Sequence, residues 1–200
     1  MENSKVQNPA VEQEPRRLSV KPALSENLME QILSGANVKR AWRQVRANHG
    51  VCGVDGMNIE EFPEYARKHW KAIRQAVREG KYRPSPVKRC VIPKPHGGQR
   101  LLGIPTVLDR VIQQAIAQIL SPIFDPEFSE SSFGFRPKRS AHQAVKQIQS
   151  YIAEDFSIAV EIDLAKFFDE VNHDVLMNRV SRKVRDKTLL RLIGKYLPVP

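Results

Sequence analysis

The sequence predicts an α+β fold. Three observations predict it: apolar residues recur at helical spacing in several separate stretches, a Gly-Gly pair sits between two short strand-like runs, and one further strand-like run ends at Asp163. The order is helices, hairpin, helix, helix, strand and closing helices. At 200 residues the chain can bury a real core. Hydrophobic content of 41% and charged content of 27% fit a soluble, globular protein. No apolar run approaches the roughly 18 to 20 residues that span a bilayer, and Met1 to Val20 lacks a secretory signal, so a cytoplasmic protein without a membrane partner is expected. Cys52 and Cys90 have no clustered Cys or His around them, which argues against a disulfide framework or a zinc site.

Residues 1–23 are polar, hold Pro9, Pro15 and Pro22, show no periodicity and read as a disordered leader. Ser25 is placed to cap a first helix ending near Leu33, and Asn37 to cap a second with Val38, Ala41, Trp42 and Val45 turned inward. Lys39, Arg40, Arg43 and Arg46 fall on the opposite, exposed face of that second helix. The stretch from Gly50 to Met57 holds three glycines and is expected as a structured loop that buries Val51, Val54 and Met57. Asn58 with Glu61 makes a capping pair for a helix that runs to Arg78 and stops at Gly80. Phe62, Tyr65, Ala66, His69, Trp70, Ile73 and Val77 form its apolar stripe, and the aromatics there read as core rather than as platforms for bases.

Val87 to Pro93 and Arg100 to Ile104 read as strands of a hairpin whose connection carries Gly97-Gly98. Thr106 caps an amphipathic helix from Val107 that is expected to stop near Pro122. Ser140 caps another, with Ala144, Val145, Ile148 and Ile152 on one face. Ser157 to Ile162 then reads as a strand, followed by a closing helical region capped by Asn172 or Asp174 and a last helix from about Asp186 to Tyr196.

The net charge is +10, and its distribution says more than its size. From Arg67 to Arg100 there are eleven Lys/Arg against one acid, Glu79, so this block accounts for the whole excess. A cationic block of that density suits a phosphate backbone, although a solvated basic helix has the same composition. Asp163, at the end of a strand, is a common place for a hard oxygen ligand of a divalent cation, and equally for a residue that caps the following turn. Phe167, Phe168 and Asp169 beside it are hard to place on an ordinary surface turn.

The run from Ile162 to His173 closely resembles the first palm motif of group II intron reverse transcriptases and their retron-type relatives. Four further stretches resemble that family in the correct order: Gly53-Val54-Asp55-Gly56; Ile92-Pro93-Lys94 with Arg100 to Thr106; Asp109-Arg110; and Phe133 to Pro137 with Ser140-Ala141-His142. The resemblance runs from about residue 30 to 197. It implies a right-hand polymerase fold, divided here into an amino-terminal extension and loop over 24–66, fingers over 67–156 and a partial palm over 157–200. By the same resemblance Asp163 would be a catalytic Mg²⁺ ligand, helped by the carbonyl of Leu164. Phe168 would lie under the sugar and select deoxynucleotides, and Lys94 and Arg100 would meet the triphosphate of the incoming dNTP. Lys39, Arg40, Arg43, Arg46, Arg67, Lys71, Arg74 and Arg136 would grip RNA, either template or intron RNA, and the RNA/DNA primer duplex.

One departure limits this implication. The family places a second carboxylate motif, Tyr-x-Asp-Asp, later in the palm, and no Asp-Asp pair occurs anywhere in these 200 residues. The expectation is a truncated enzyme that binds template and nucleotide but does not polymerise alone. An RNA-binding, maturase-like module without catalysis, or one half of a split reverse transcriptase completed by another chain, are the alternatives.

Overall fold

The computed structural model describes residues 27–93, 95, 97–164 and 166–197. The leader, Ser25 and Lys94 lie outside the described residues. In chain order the elements are α1 (Leu28–Ile32), α2 (Gly35–Ala47), α3 (Phe62–Arg78), β1 (Lys88–Pro93), β2 (Gln99–Ile104), α4 (Val107–Phe124), α5 (Ala141–Ala153), α6 (Phe167–Glu170), α7 (His173–Ser181) and α8 (Lys187–Tyr196), with a 3₁₀ turn at Asp125–Glu127. Helices and an antiparallel two-stranded hairpin in sequence-separated blocks make the α+β class expected of the sequence.

The core is built on α4. Val107, Val111, Ile112 and Ala115 are buried along one of its faces and meet Leu28 and Ile32 of α1, Ala41 and Val45 of α2, Phe62 and Val77 of α3, and Leu189 and Leu192 of α8. Each of the Val, Leu, Ile and Phe side chains contributes roughly 1.5–3 kcal/mol on burial, and each Ala less. Asn37 pins three of these elements: its buried Nδ2 donates to the carbonyls of Ile32 and Ala115, both at 3.0 Å, and its Oδ1 accepts from Gln118 Nε2 at 2.8 Å. Across the chain, the Met29 amide donates to Asp186 Oδ2 at 2.9 Å, and the Arg78 guanidinium pairs with Glu30 at 2.7 Å.

Most helix ends follow the sequence reading. Thr106, Ser140, Asn172 and Asp186 each accept a backbone N–H of the first turn of the helix that follows. Asn58 and Glu61 exchange backbone-to-side-chain bonds at 2.9 Å, and Gly80 ends α3 at a φ of 67°, in the left-handed region. Five expectations are corrected. Ser34, not Asn37, caps α2; the serine comes one turn earlier, which frees Asn37 for its bonds to other elements. α1 starts after Asn27 with no side-chain cap. α4 continues through Pro122 to Phe124, because a proline in the last turn forfeits only one intrahelical amide bond.

The loop before α3 is anchored differently from the expectation: Val51 and Val54 are exposed, and only Met57 packs on the core. Gly53 lies against the backbone of Thr106, where an added Cβ would sit 2.7 Å from its Cα. Arg110 Nη2 donates to the Val51 carbonyl at 2.7 Å. The largest departure is residues 157–162, which form no strand. Among the described residues β1 and β2 pair only with each other, so this segment has no ladder partner, and an isolated extended segment is not stable as a strand. Its apolar residues are exposed, Ile162 at 84%, and so are Val145, Ile148 and Ile152 of α5.

Candidate nucleic-acid interface

Cations of α2 and α3 converge on one groove of about 790 Å³ between the two helices. Trp42, Phe62, Ala66 and Trp70 give it an apolar wall, and Lys39, Arg67, Lys71 and Arg74 stand around it, with no acid among its described lining residues. The helices present both kinds of side chain because each is amphipathic. Ala41 and Val45, and Phe62 and Val77, are spent on the core, which leaves the flanking positions to the groove. Trp42 packs on Phe62 with ring centroids 4.8 Å apart. Trp70 is half-buried. Arg74 Nε is buried without a hydrogen-bond partner among the described residues.

Of the residues expected to grip RNA, Lys39, Arg67, Lys71 and Arg74 thus share one groove. Arg40 and Arg43 line a neighbouring concavity of α2 together with Glu30, and Arg46 is exposed near the end of that helix. Arg136 is placed differently. Its side chain is only 6% exposed, and its guanidinium donates to Asp125 Oδ1 at 2.8 Å and to the carbonyls of Ser129, Ser132 and Asp125. It organises the loop after α4 and holds the Asp125 carboxyl below its ordinary range, chiefly through that hydrogen bond.

The hairpin projects from the body, with β1 exposed along its length, but its base is clamped. Lys88 pairs with Ile104 and Pro93 with Gln99, and Gly97 and Gly98 turn the chain at φ of 88° and 86°. Directly before β1 and after β2, the buried carboxylate of Asp109 accepts from Tyr82 Oη at 2.8 Å, Ser85 N at 3.1 Å, Thr106 Oγ1 at 2.7 Å and Tyr196 Oη at 3.0 Å. Lys195 Nζ adds bonds to the carbonyls of Gly80 at 2.7 Å and Tyr82 at 2.8 Å. Burial first, and the Asp109 charge next to it, raise the Tyr82 phenol well above its ordinary value; burial and the neighbouring Tyr82 and Asp109 do the same for Tyr196. Arg100 is exposed on β2 opposite Ile92.

Asp163, Leu164 and Phe168 are each exposed in the stretch between α5 and α7, Phe168 at 88% and stacked edge-on against Phe167. Among the described residues no three His, Cys, Asp or Glu side chains gather so as to hold a metal. A Mg²⁺ site of the two-metal kind needs converging carboxylates. The described residues do not bring such carboxylates together. Sequence reasoning missed two features. It assigned Trp70 to the core, where the structure has it walling the groove; Trp42 does pack on the core, as expected, and walls the groove as well. It also took Asp109 only as part of a motif; Thr106-x-x-Asp109 carried a capping signal, but nothing in the spacing announced Tyr82 or Tyr196.

Residues 92–197 match the reverse transcriptase (RNA-dependent DNA polymerase) family. The chain is 34% identical over 149 residues to Protein YkfC of Escherichia coli (strain K12), covering 72% of this chain and 39% of that protein. It is 35% identical over 161 residues to the group II intron-encoded protein LtrA of Lactococcus lactis subsp. cremoris, covering 78% of this chain and 26% of LtrA. Over 93 residues it is 36% identical to nuclear intron maturase 1, mitochondrial, of Arabidopsis thaliana, covering 46% of this chain and 13% of that protein. The chain belongs to the reverse transcriptase family, in its group II intron-encoded branch. It spans well under half the length of these relatives, 39% of the first and 26% of the second. Among the described residues no helix is long and apolar enough to cross a membrane.

Proposed function

We propose that this chain is the RNA-engaging fingers part of a group II intron reverse transcriptase/maturase, which holds an RNA template or intron RNA and does not polymerise DNA on its own. The observation that carries the reading is the cationic groove of α2 and α3, with no acid among its described lining residues. The groove residues Lys39, Arg67, Lys71 and Arg74 take RNA phosphates, and the neighbouring face of α2 with Arg40, Arg43 and Arg46 extends the track. On the hairpin, Arg100 and Lys94 are the proposed partners of dNTP phosphate. In-line phosphoryl transfer depends on charge neutralisation and alignment, which explains why a polymerase needs fixed cations there.

Asp163 and the Leu164 carbonyl are proposed as ligands of Mg²⁺, with Phe168 beneath the sugar, in a site that needs further carboxylates from polypeptide beyond these 200 residues. One observation favours a complementing polypeptide, whether in a longer chain or a separate one. Phe156, Ile158, Val160, Ile162 and Leu164 alternate along an exposed segment that follows α5 and is unpaired among the described residues, a pattern that suits a strand awaiting a sheet.

The test has two parts. RNA affinity of the purified chain should fall steeply with salt, with a log–log slope of about −0.7 for each phosphate contact on a single strand. Primer extension on an RNA template with Mg²⁺ and dNTPs should give no product from this chain alone. A flat salt response would remove the RNA reading, and robust extension that Asp163→Ala abolishes would show that the chain carries a complete active centre.

A further inference from the structure

The groove has a feature that phosphate binding does not use: its wall is aromatic. Trp42 is packed on the core side of the groove against Phe62, whereas Trp70 is half-buried and, unlike Trp42, does not pack against the buried core cluster. Trp70 stands between Arg67, Lys71 and Arg74 on one face of α3. An indole flanked by cations, opening onto about 790 Å³ of groove, is the arrangement that accepts a planar π-face while its phosphates are held on either side. The unpartnered, buried Arg74 Nε supplies a hydrogen-bond donor at the same groove.

Charge decides the class of occupant. With no acid among the described lining residues and four cations not spent on the core, the groove repels a basic peptide and has no partner for the cationic groups of a zwitterionic one, so it takes a polyanion. Duplex nucleic acid satisfies the cations but keeps its bases stacked inside the helix, out of reach of an indole. We infer that the α2–α3 groove is a base-accepting site for single-stranded RNA, in which an unstacked base lies on Trp70 while Arg67, Lys71 and Arg74 hold the flanking phosphates. This rests on the RNA-binding reading above and adds to it a specificity for unpaired nucleotides.

The chain makes its own probe, because its only two tryptophans are Trp42 and Trp70, so intrinsic tryptophan emission reports on this groove alone. The full chain is titrated with a short single-stranded oligoribonucleotide and with a duplex RNA of equal phosphate number, following emission and affinity, for the unaltered protein and for Trp42→Phe, Trp70→Phe and Trp70→Ala. The expected result is quenching by the single strand that persists in Trp42→Phe and disappears in Trp70→Phe. Trp70→Ala should weaken single-strand affinity about tenfold, the size of one lost base–aromatic stack, with the salt slope unchanged and duplex affinity unaffected. Trp70→Phe should recover most of that loss, which separates stacking from misfolding.

Single-stranded RNA that binds with a steep salt slope yet leaves emission and Trp70→Ala affinity unchanged would overturn the base site and leave the RNA-binding reading standing. Absence of salt-sensitive RNA binding altogether would overturn both.

Discussion

Asp109 shows how much one side chain can organise. Four donors from Tyr82, Ser85, Thr106 and Tyr196 end on its carboxylate, so Asp109→Ala strands them together in a buried site. A buried donor without a partner costs about 1–3 kcal/mol, and a loss of at least about 3 kcal/mol in urea denaturation is expected. The two phenols also set an alkaline limit. Their folded-state values are raised, so above about pH 10 the unfolded chain releases phenolic protons that the folded chain retains. Stability is therefore full below about pH 10 and falls as pH rises further, and Tyr196→Phe should flatten that fall in urea titrations on either side of it. Gly53→Ala drives a Cβ to 2.7 Å from the Thr106 backbone, and a loss of about 1–3 kcal/mol is expected from the same measurement. Legibility at this scale follows sequence distance. The Thr106, Ser140 and Asn172 caps are local bonds and can be read from spacing. The partners of Asp109 are brought together by packing and cannot.

Among the elements, α4 and α5 have similar amphipathic patterns and opposite fates. The periodicity of Val145, Ile148 and Ile152 told that α5 has an apolar face, but no pattern tells what covers it, and in the described residues nothing does. Ile148→Asp should therefore shift thermal unfolding by no more than about 0.5 kcal/mol, as ordinary surface substitutions do. Ile112→Asp in α4 should abolish the cooperative transition, because Ile112 is fully enclosed by the core. The expected strand over 157–162 failed for a related reason: its alternation is present, but a strand exists only with a neighbour. The hairpin could be read because both of its strands and their glycine turn lie within one short stretch. The groove was half legible. Charge density marked its cations, while the groove-facing Trp70 was hidden, since it keeps the same helical spacing as true core residues.

For the molecule as a whole, the buried core and the bare apolar surface lie in different parts of the chain. The core joins α1 to α4 with α8, whereas exposed Phe156, Ile158, Val160, Ile162 and Phe168 cluster in the connection between α5 and α7. The protein should bind an apolar-sensitive dye while still unfolding cooperatively. A triple variant, Val145→Lys, Ile148→Glu and Ile152→Lys, should reduce that dye signal without changing the unfolding midpoint.

The bond from the Met29 amide to Asp186 ties almost the first described residue to the start of α8. During synthesis α1 to α4 therefore leave the ribosome with one wall of their shared interior open, and Val184, Leu189 and Leu192 shut it only after more than fifty further residues have followed α4. A nascent chain stalled before Asp186 would present that opening to chaperones.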